Sequence, residues 1–155
     1  MTSAGEGAFE LGTDGPKVIL VGVDDSTTSL RAASYAAGLA RRQGANVTAV
    51  YVAPAASLGA ATPGGATLEV ARRQAHTQIA EDLRGRFEAG AKELGISITF
   101  IAAEGDPYTE LRRIADEIRA DAVVVGASAQ AGHRLIGSLA VRLVRAGKWP
   151  VTVVP

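Results

Sequence analysis

The 155-residue chain contains no cysteine. Disulfides, thiolate nucleophiles and cysteine-ligated metal are thereby excluded, and a reducing cytoplasm is the expected setting. Aromatic residues are scarce, at 5% of the chain, which argues against stacking platforms for single-stranded nucleic acid. Neither sign of charge is in excess: Lys plus Arg and Asp plus Glu both number 16. A general binder of nucleic acid or of anionic membrane needs a basic surplus, so neither partner is expected. No apolar run approaches the roughly 18 residues of a membrane span, and no basic stretch followed by an apolar run marks a signal peptide. The two histidines, His76 and His133, lie far apart and offer no metal-ligand set.

Apolar residues make up 47% of the chain and charged residues 21%, which suits one domain with a real core. Residues 1–15 hold Gly5, Gly7, Gly12 and Gly15 with acids between them and read as a flexible tail; Phe9 and Leu11 are its apolar points. Residues 16–155 read as the folded domain. Lys17–Asp24 is nearly continuous apolar sequence, as in a central parallel strand. Asp24-Asp25-Ser26-Thr27-Thr28 suits a turn and a helix cap, with Asp24 a candidate for the cap. Leu30, Ala33, Ala37 and Ala40 then mark a helical face that Gly44 ends. Asn46–Ala53 is a second strand, and the Gly- and Pro-rich residues 54–66 read as a loop, long enough to be a lid or a variable surface loop. A long helix over Thr67–Leu94 carries Ala71, Ala75, Ile79, Leu83, Phe87 and Ala91 as its expected buried stripe. Gly85 and Gly90 are candidate kinks, and His76 reads as surface. Ile96–Ala102 alternates as an edge strand does. Asp106-Pro107 starts a helix with Leu111, Ile114, Ala115 and Ile118 inward. Asp121–Gly126 is a fourth strand, a helix with Ile136, Leu139, Ala140 and Leu143 follows, and Pro150–Val154 is a fifth strand.

The order β-α-β-α-β-α-β-α-β implies an α/β fold: a five-stranded parallel, doubly wound (Rossmann-like) sheet with right-handed crossovers and helices on both faces. With strand order 3-2-1-4-5 the topological switch falls between strands one and four, and ligands of such sheets sit beyond the C-terminal strand ends there. The loops after those strands are Asp24-Asp25-Ser26 and the run from Gly126 through Gly132 to Gly137-Ser138. The second joins a buried Val-Val-Val strand to a helix that Ser138 can cap. Strand, small-residue loop and helix N-terminus make a candidate phosphate cradle; an ordinary βα connection is the alternative. His133 and Arg134 lie within that loop, as phosphate contacts or as plain surface residues. Asp24, Ser128, Ser138 and His133 do not make a hydrolase signature, because Gly126-Ala127-Ser128-Ala129-Gln130 lacks the second glycine of a nucleophile elbow. No enzyme is expected.

Four segments carry a family resemblance: Val21-Gly22-Val23-Asp24-Asp25-Ser26, Gly105-Asp106-Pro107, Ala120–Gly126, and Gly137-Ser138 followed by a helix and Trp149-Pro150-Val151. In this order, on this β/α pattern, the chain resembles the universal stress protein family of the single-domain bacterial type, with its adenine nucleotide alpha hydrolase-like fold. The resemblance implies a cytoplasmic stress-response protein without established catalytic chemistry and leaves weak ATP hydrolysis open. One branch binds ATP, and some relatives bind cyclic AMP. Carried over by position, Val23, Asp24 and Asp25 would form the adenine side with Val52 beside the base. Gly126 would pass under the ribose, with Ser128, Gly132 and His133 in the loop, and Gly137, Ser138 and the Leu139 amide would hold phosphate. The family's nucleotide loop has Gly, two residues, Gly, nine residues, then Gly and Ser or Thr. Here the middle glycine falls on Ala129 and the loop is two residues shorter. Two readings follow: an adenine-nucleotide binder, favoured by Asp24 and Gly137-Ser138, or a nucleotide-independent protein acting through dimerisation and protein partners, favoured by the altered loop. The resemblance also implies a homodimer through the C-terminal strand 151–154, which as a short apolar edge needs cover.

Overall fold

The computed structural model describes residues 15–56, 58–128 and 137–155. Most of the N-terminal tail, and Gly132, His133 and Arg134, lie outside the described residues. The elements are β1 (Val18–Val23), α1 (Thr27–Gln43), β2 (Asn46–Ala53), a 3-10 turn (Leu58–Ala61), α2 (Gly65–Leu94), β3 (Ser97–Glu104), α3 (Pro107–Glu117), β4 (Ala122–Gly126), α4 (Ser138–Ala146) and β5 (Val151–Val154). All pairings are parallel, in the order β3-β2-β1-β4-β5. The doubly wound sheet expected from the βα alternation is present, with β3 and β5 at its edges.

The pleat sorts the core into two layers. Ile19, Val21 and Val23 of β1, with Val47, Ala49 and Tyr51 of β2, pack under α1 and α2. Leu20, Val50, Val123 and Val125 pack under α3 and α4 with Leu111, Ile114, Ala140 and Leu143. The alanine-rich face of α1 (Ala32, Ala33, Ala36, Ala37, Ala40) lets that helix lie close to the sheet. Caps set most of the helix ends. The Asp106 side chain accepts from Thr109 N–H with Pro107 in the first helical turn, as the sequence suggests. α1, α2 and α4 each stop on a glycine of left-handed backbone, Gly44, Gly95 and Gly147 (φ 62°, 65° and 63°).

Two caps differ from the sequence reading. α1 is capped by Ser26, whose hydroxyl accepts from Ser29 N–H, and Asp24 stands two residues upstream, accepting from Ser26 N–H at 3.0 Å. α4 begins at Ser138 itself, so the cap position is Gly137, which has no side chain to offer. Segment 54–66 is shorter as a loop than expected. It holds the 3-10 turn, and α2 begins at Gly65, where an added Cβ would run into the Gly59 carbonyl.

The stripe expected along α2 holds only in its second half. Leu83 is buried and Ile79, Ala80 and Phe87 are partly so, but Ala71 and Ala75 are exposed. A strict every-four spacing rotates about 40° per step around a 3.6-residue helix, so a series from 71 to 91 cannot keep to one face. α2 is a single unbroken helix through Gly85 and Gly90. Its Leu83 is the only large side chain it buries fully. Each fully buried Leu stabilises by about 1.5–3 kcal/mol, so α2's hold on the sheet is concentrated there. Leu83→Ala is expected to cost about 2–5 kcal/mol in urea denaturation, whereas Ala75→Ser changes stability by less than about 0.5 kcal/mol. Equal costs would restore the every-four stripe.

Candidate functional site

β1 and β4 are neighbours, and their C-terminal ends open onto one crevice of two adjoining chambers. One is apolar, about 130 Å³, and is lined by Val23, Val50 and Val52 with Pro107, Leu111 and Val125. The other is polar, about 360 Å³, and is lined by Ser26, Thr28, Ala127, Ser128, Gly137 and Ser138. Asp24, Gly126 and Leu139 line both. The alternation of β2 explains the apolar chamber: Val50 and Val52 point to the α3 side, while Tyr51 points the other way, under α2.

The polar chamber is built around a close approach. Gly126 ends β4 directly under the first turn of α1, where an added Cβ would stand 2.5 Å from the Thr28 carbonyl carbon and 2.6 Å from Ser29 N. The Thr28 hydroxyl donates to the Ala127 carbonyl at 2.7 Å, tying that turn to the chain leaving β4. Across the mouth, Gly137 lies against Ser128, and a Cβ on Gly137 would be 2.8 Å from the Ser128 Cβ. The two ends of the loop between them are therefore in contact.

The α4 N-terminus opens into this chamber. Its first helical bond runs from Val141 N–H to the Gly137 carbonyl, so the amides of Ser138, Leu139 and Ala140 have no acceptor within the helix. Gly137 gives this end no side-chain cap, and the helix dipole places partial positive charge there. Opposite stands the Asp24 carboxylate. Partial burial pushes its pKa up, but the Ser26 N–H bond and the Ser26 and Ser29 hydroxyls beside it outweigh this and hold it below its ordinary value. Asp24 is thus an acceptor at neutral pH beside a set of donors.

Of the residues singled out in the sequence, Val23, Asp24, Val52, Gly126, Ser128, Gly137, Ser138 and Leu139 meet in this crevice. Asp25 does not line it. Its backbone is left-handed (φ 66°), and its carboxylate pairs with Arg86 of α2 at 2.9 Å. Thr28, Pro107 and Leu111 line the crevice without having been assigned to it from the sequence. The hydroxyl run after Asp25 was the available signal, read there only as a turn and cap. His76 is no plain surface residue: its Nδ1 lies 2.6 Å from the Tyr51 hydroxyl, in a separate groove with Arg72, Arg84 and Glu104. Tyr51 sends its hydroxyl toward α2 because of its place in the β2 alternation, which the helix sequence alone does not reveal. Among the described residues no cluster of His, Asp and Glu is arranged to hold a metal ion, and no helix is long and apolar enough to cross a membrane.

Gly126→Ala places its methyl group against backbone that cannot rotate away. It is expected to destabilise the fold by about 1–3 kcal/mol in chemical denaturation with no ligand present. An unchanged midpoint would mean that α1 and β4 separate at no cost.

The universal stress protein family model matches residues 16–155. A universal stress protein of Methanocaldococcus jannaschii is 30% identical over 140 residues, covering 89% of this chain and 81% of that protein. Among solved structures, the universal stress protein UspA from Lactobacillus plantarum is similar with a TM-score of 0.72 and 28% identity, covering 90% of this chain and 97% of that one. A universal stress protein in complex with cAMP is similar with a TM-score of 0.62 and 27% identity, covering 91% and 98%. The fold, the crevice at its switch point and these matches over nearly the whole chain agree: the chain belongs to the universal stress protein family.

Proposed function

We infer that this protein binds an adenine nucleotide, ATP or cyclic AMP, in the crevice between β1 and β4, and serves a stress response in the cytoplasm as a binding protein, not an enzyme. The observation that carries this is the uncapped α4 N-terminus opening into a polar chamber next to an apolar slot. The Ser138, Leu139 and Ala140 amides, with the Ser138 hydroxyl, supply donors for phosphate. Val23 and Val52 supply apolar walls for a base. Asp24, where the chambers meet, accepts from an exocyclic amine or a ribose hydroxyl, and Gly126, which lines both chambers, lies beside the sugar. The similar structure holding cAMP supports this chemistry. Asp25, turned to Arg86, would act on the ligand only at a distance. Gly132 and His133, in the sequence between Ser128 and Gly137, remain part of the proposed site.

One observation favours the second reading, a nucleotide-independent protein acting through dimers and partners. Both glycines that frame the chamber have structural reasons to be glycine: Thr28 backbone fills the space at Gly126, and Ser128 fills it at Gly137. In both readings we expect a homodimer through β5. That strand ends the sheet beyond β4 with its apolar residues half-buried.

Calorimetric titration of nucleotide-free protein with ATP and cAMP separates the readings. Ser138→Pro is the informative variant. Proline is tolerated in the first turn of a helix, and Gly137 already has the extended backbone (ψ 156°) that precedes proline. The substitution deletes one amide donor and one hydroxyl. Loss of a hydrogen bond to a charged group, about 1.5–3 kcal/mol, corresponds to about 10–100-fold weaker binding. Absence of binding heat in the unsubstituted protein would favour the nucleotide-independent reading, and an unaffected variant would move phosphate away from α4. Light scattering after size exclusion is expected to give twice the 15.9 kDa chain mass; a stable monomer at micromolar concentration would remove the β5 dimer.

A further inference from the structure

On the sheet face opposite the apolar chamber, α1 and α2 diverge over an apolar groove of about 280 Å³. Leu30, Ala37, Val47, Phe87, Leu94 and Ile98 line it, and Leu94 is 42% exposed. At Gly90 the wall is missing: nothing lies within 4 Å of where a Cβ would be. The groove is neither part of the crevice nor used by the proposed function.

The described chain begins beside this groove. Gly15 lies against the Gln43 side chain at the end of α1, and the Lys17 ammonium donates to the Gln43 carbonyl at 3.0 Å. Val18, Asn46 and Ser97 are in register across β1, β2 and β3, so the chain enters at the same sheet edge as Val47 and Ile98. With strands about 4.8 Å apart, the groove is one or two strands away. Leu11 and Phe9 precede Gly15 by four and six residues, giving reaches of about 13 and 20 Å in extended chain. Flanking Glu10, they fall on one face of an extended segment. Charge agrees as well. Residues 1–14 hold Glu6, Glu10 and Asp14 and no Lys or Arg, whereas the end of α1 carries Arg41 and Arg42.

We propose that the N-terminal segment of this chain is the occupant of the α1–α2 groove, inserting Phe9 and Leu11 and setting its acids beside the basic end of α1. The segment thereby completes the core on that face. A small apolar ligand or a second copy would need the same space.

The absence of native cysteine gives a direct test on the full chain. Ala8→Cys with Gly90→Cys places one thiol beside Phe9 and one in the open wall of the groove. Ala8→Cys with Arg112→Cys, an exposed position on α3 across the sheet, is the reference. Under mild oxidation the 8–90 disulfide is expected to close within one chain at least about tenfold faster than the 8–112 disulfide, reflecting a higher effective concentration. Phe9→Ser with Leu11→Ser should erase that difference and, in the cysteine-free chain, speed amide exchange over Phe87–Leu94 at least about threefold. Equal closure rates, or exchange unaffected by the serine pair, would overturn the proposal. Cross-links found only between chains would assign the groove to a second copy.

Discussion

The rest of the structure depends on the contact between α1 and β4 at Gly126. A helix N-terminus can sit over the end of a neighbouring strand only if that strand offers no side chain there, and glycine meets this condition. The contact brings the loop after β1 and the loop after β4 to one place, and the Thr28-to-Ala127 hydrogen bond holds them together. Because β1 lies between β2 and β4, this is also where the strand order reverses and leaves a crevice. Packing and topology therefore make the site before any ligand chemistry enters.

The crevice divides its work by chemistry. Apolar walls come from strand residues whose direction the pleat fixes, Val50 and Val52 on one face and Tyr51 on the other. Backbone N–H groups stand at the start of α4, where the glycine in the cap position has no side chain to bond them. The acceptor comes from Asp24, whose carboxylate is held ionised by the serines that also shape the α1 cap. Cap and site thus share atoms. Ser26 serves the helix by accepting from Ser29 and the site by fixing Asp24, so the two roles weighed for Asp24 in the sequence are divided between neighbouring residues.

The βα alternation, the strand order and the edge position of β3 were legible because a parallel sheet writes long apolar runs and turn residues plainly into a sequence. Part of the crevice was legible too: topology names the two loops that form it and the family resemblance adds Val52, whereas Val50, Pro107 and Leu111 reach it only through the fold. What was not legible came from three-dimensional context. The caps at Ser26 and Gly137 each lie one or two positions from the residue that cap preference picks out, and backbone geometry decides between them. The stripe of α2 failed in its first half because an every-four spacing drifts around a 3.6-residue helix. His76 found its partner on a strand 25 residues away, which no helical period can show.

The way α2 is attached has a consequence for motion. Its 30 residues reach well past the strands they cover, yet only Leu83 is deeply seated among its large side chains, and Leu68 and Val70 near its start are 74% and 55% exposed. The early turns are held by polar ties: Arg72 to the Pro54 carbonyl at 2.6 Å and His76 to Tyr51. Such ties exchange readily for water, so releasing these turns exposes little apolar surface and leaves both core layers intact. The start of α2 is therefore a subglobal unfolding unit of its own, with an opening free energy set apart from that of the whole domain.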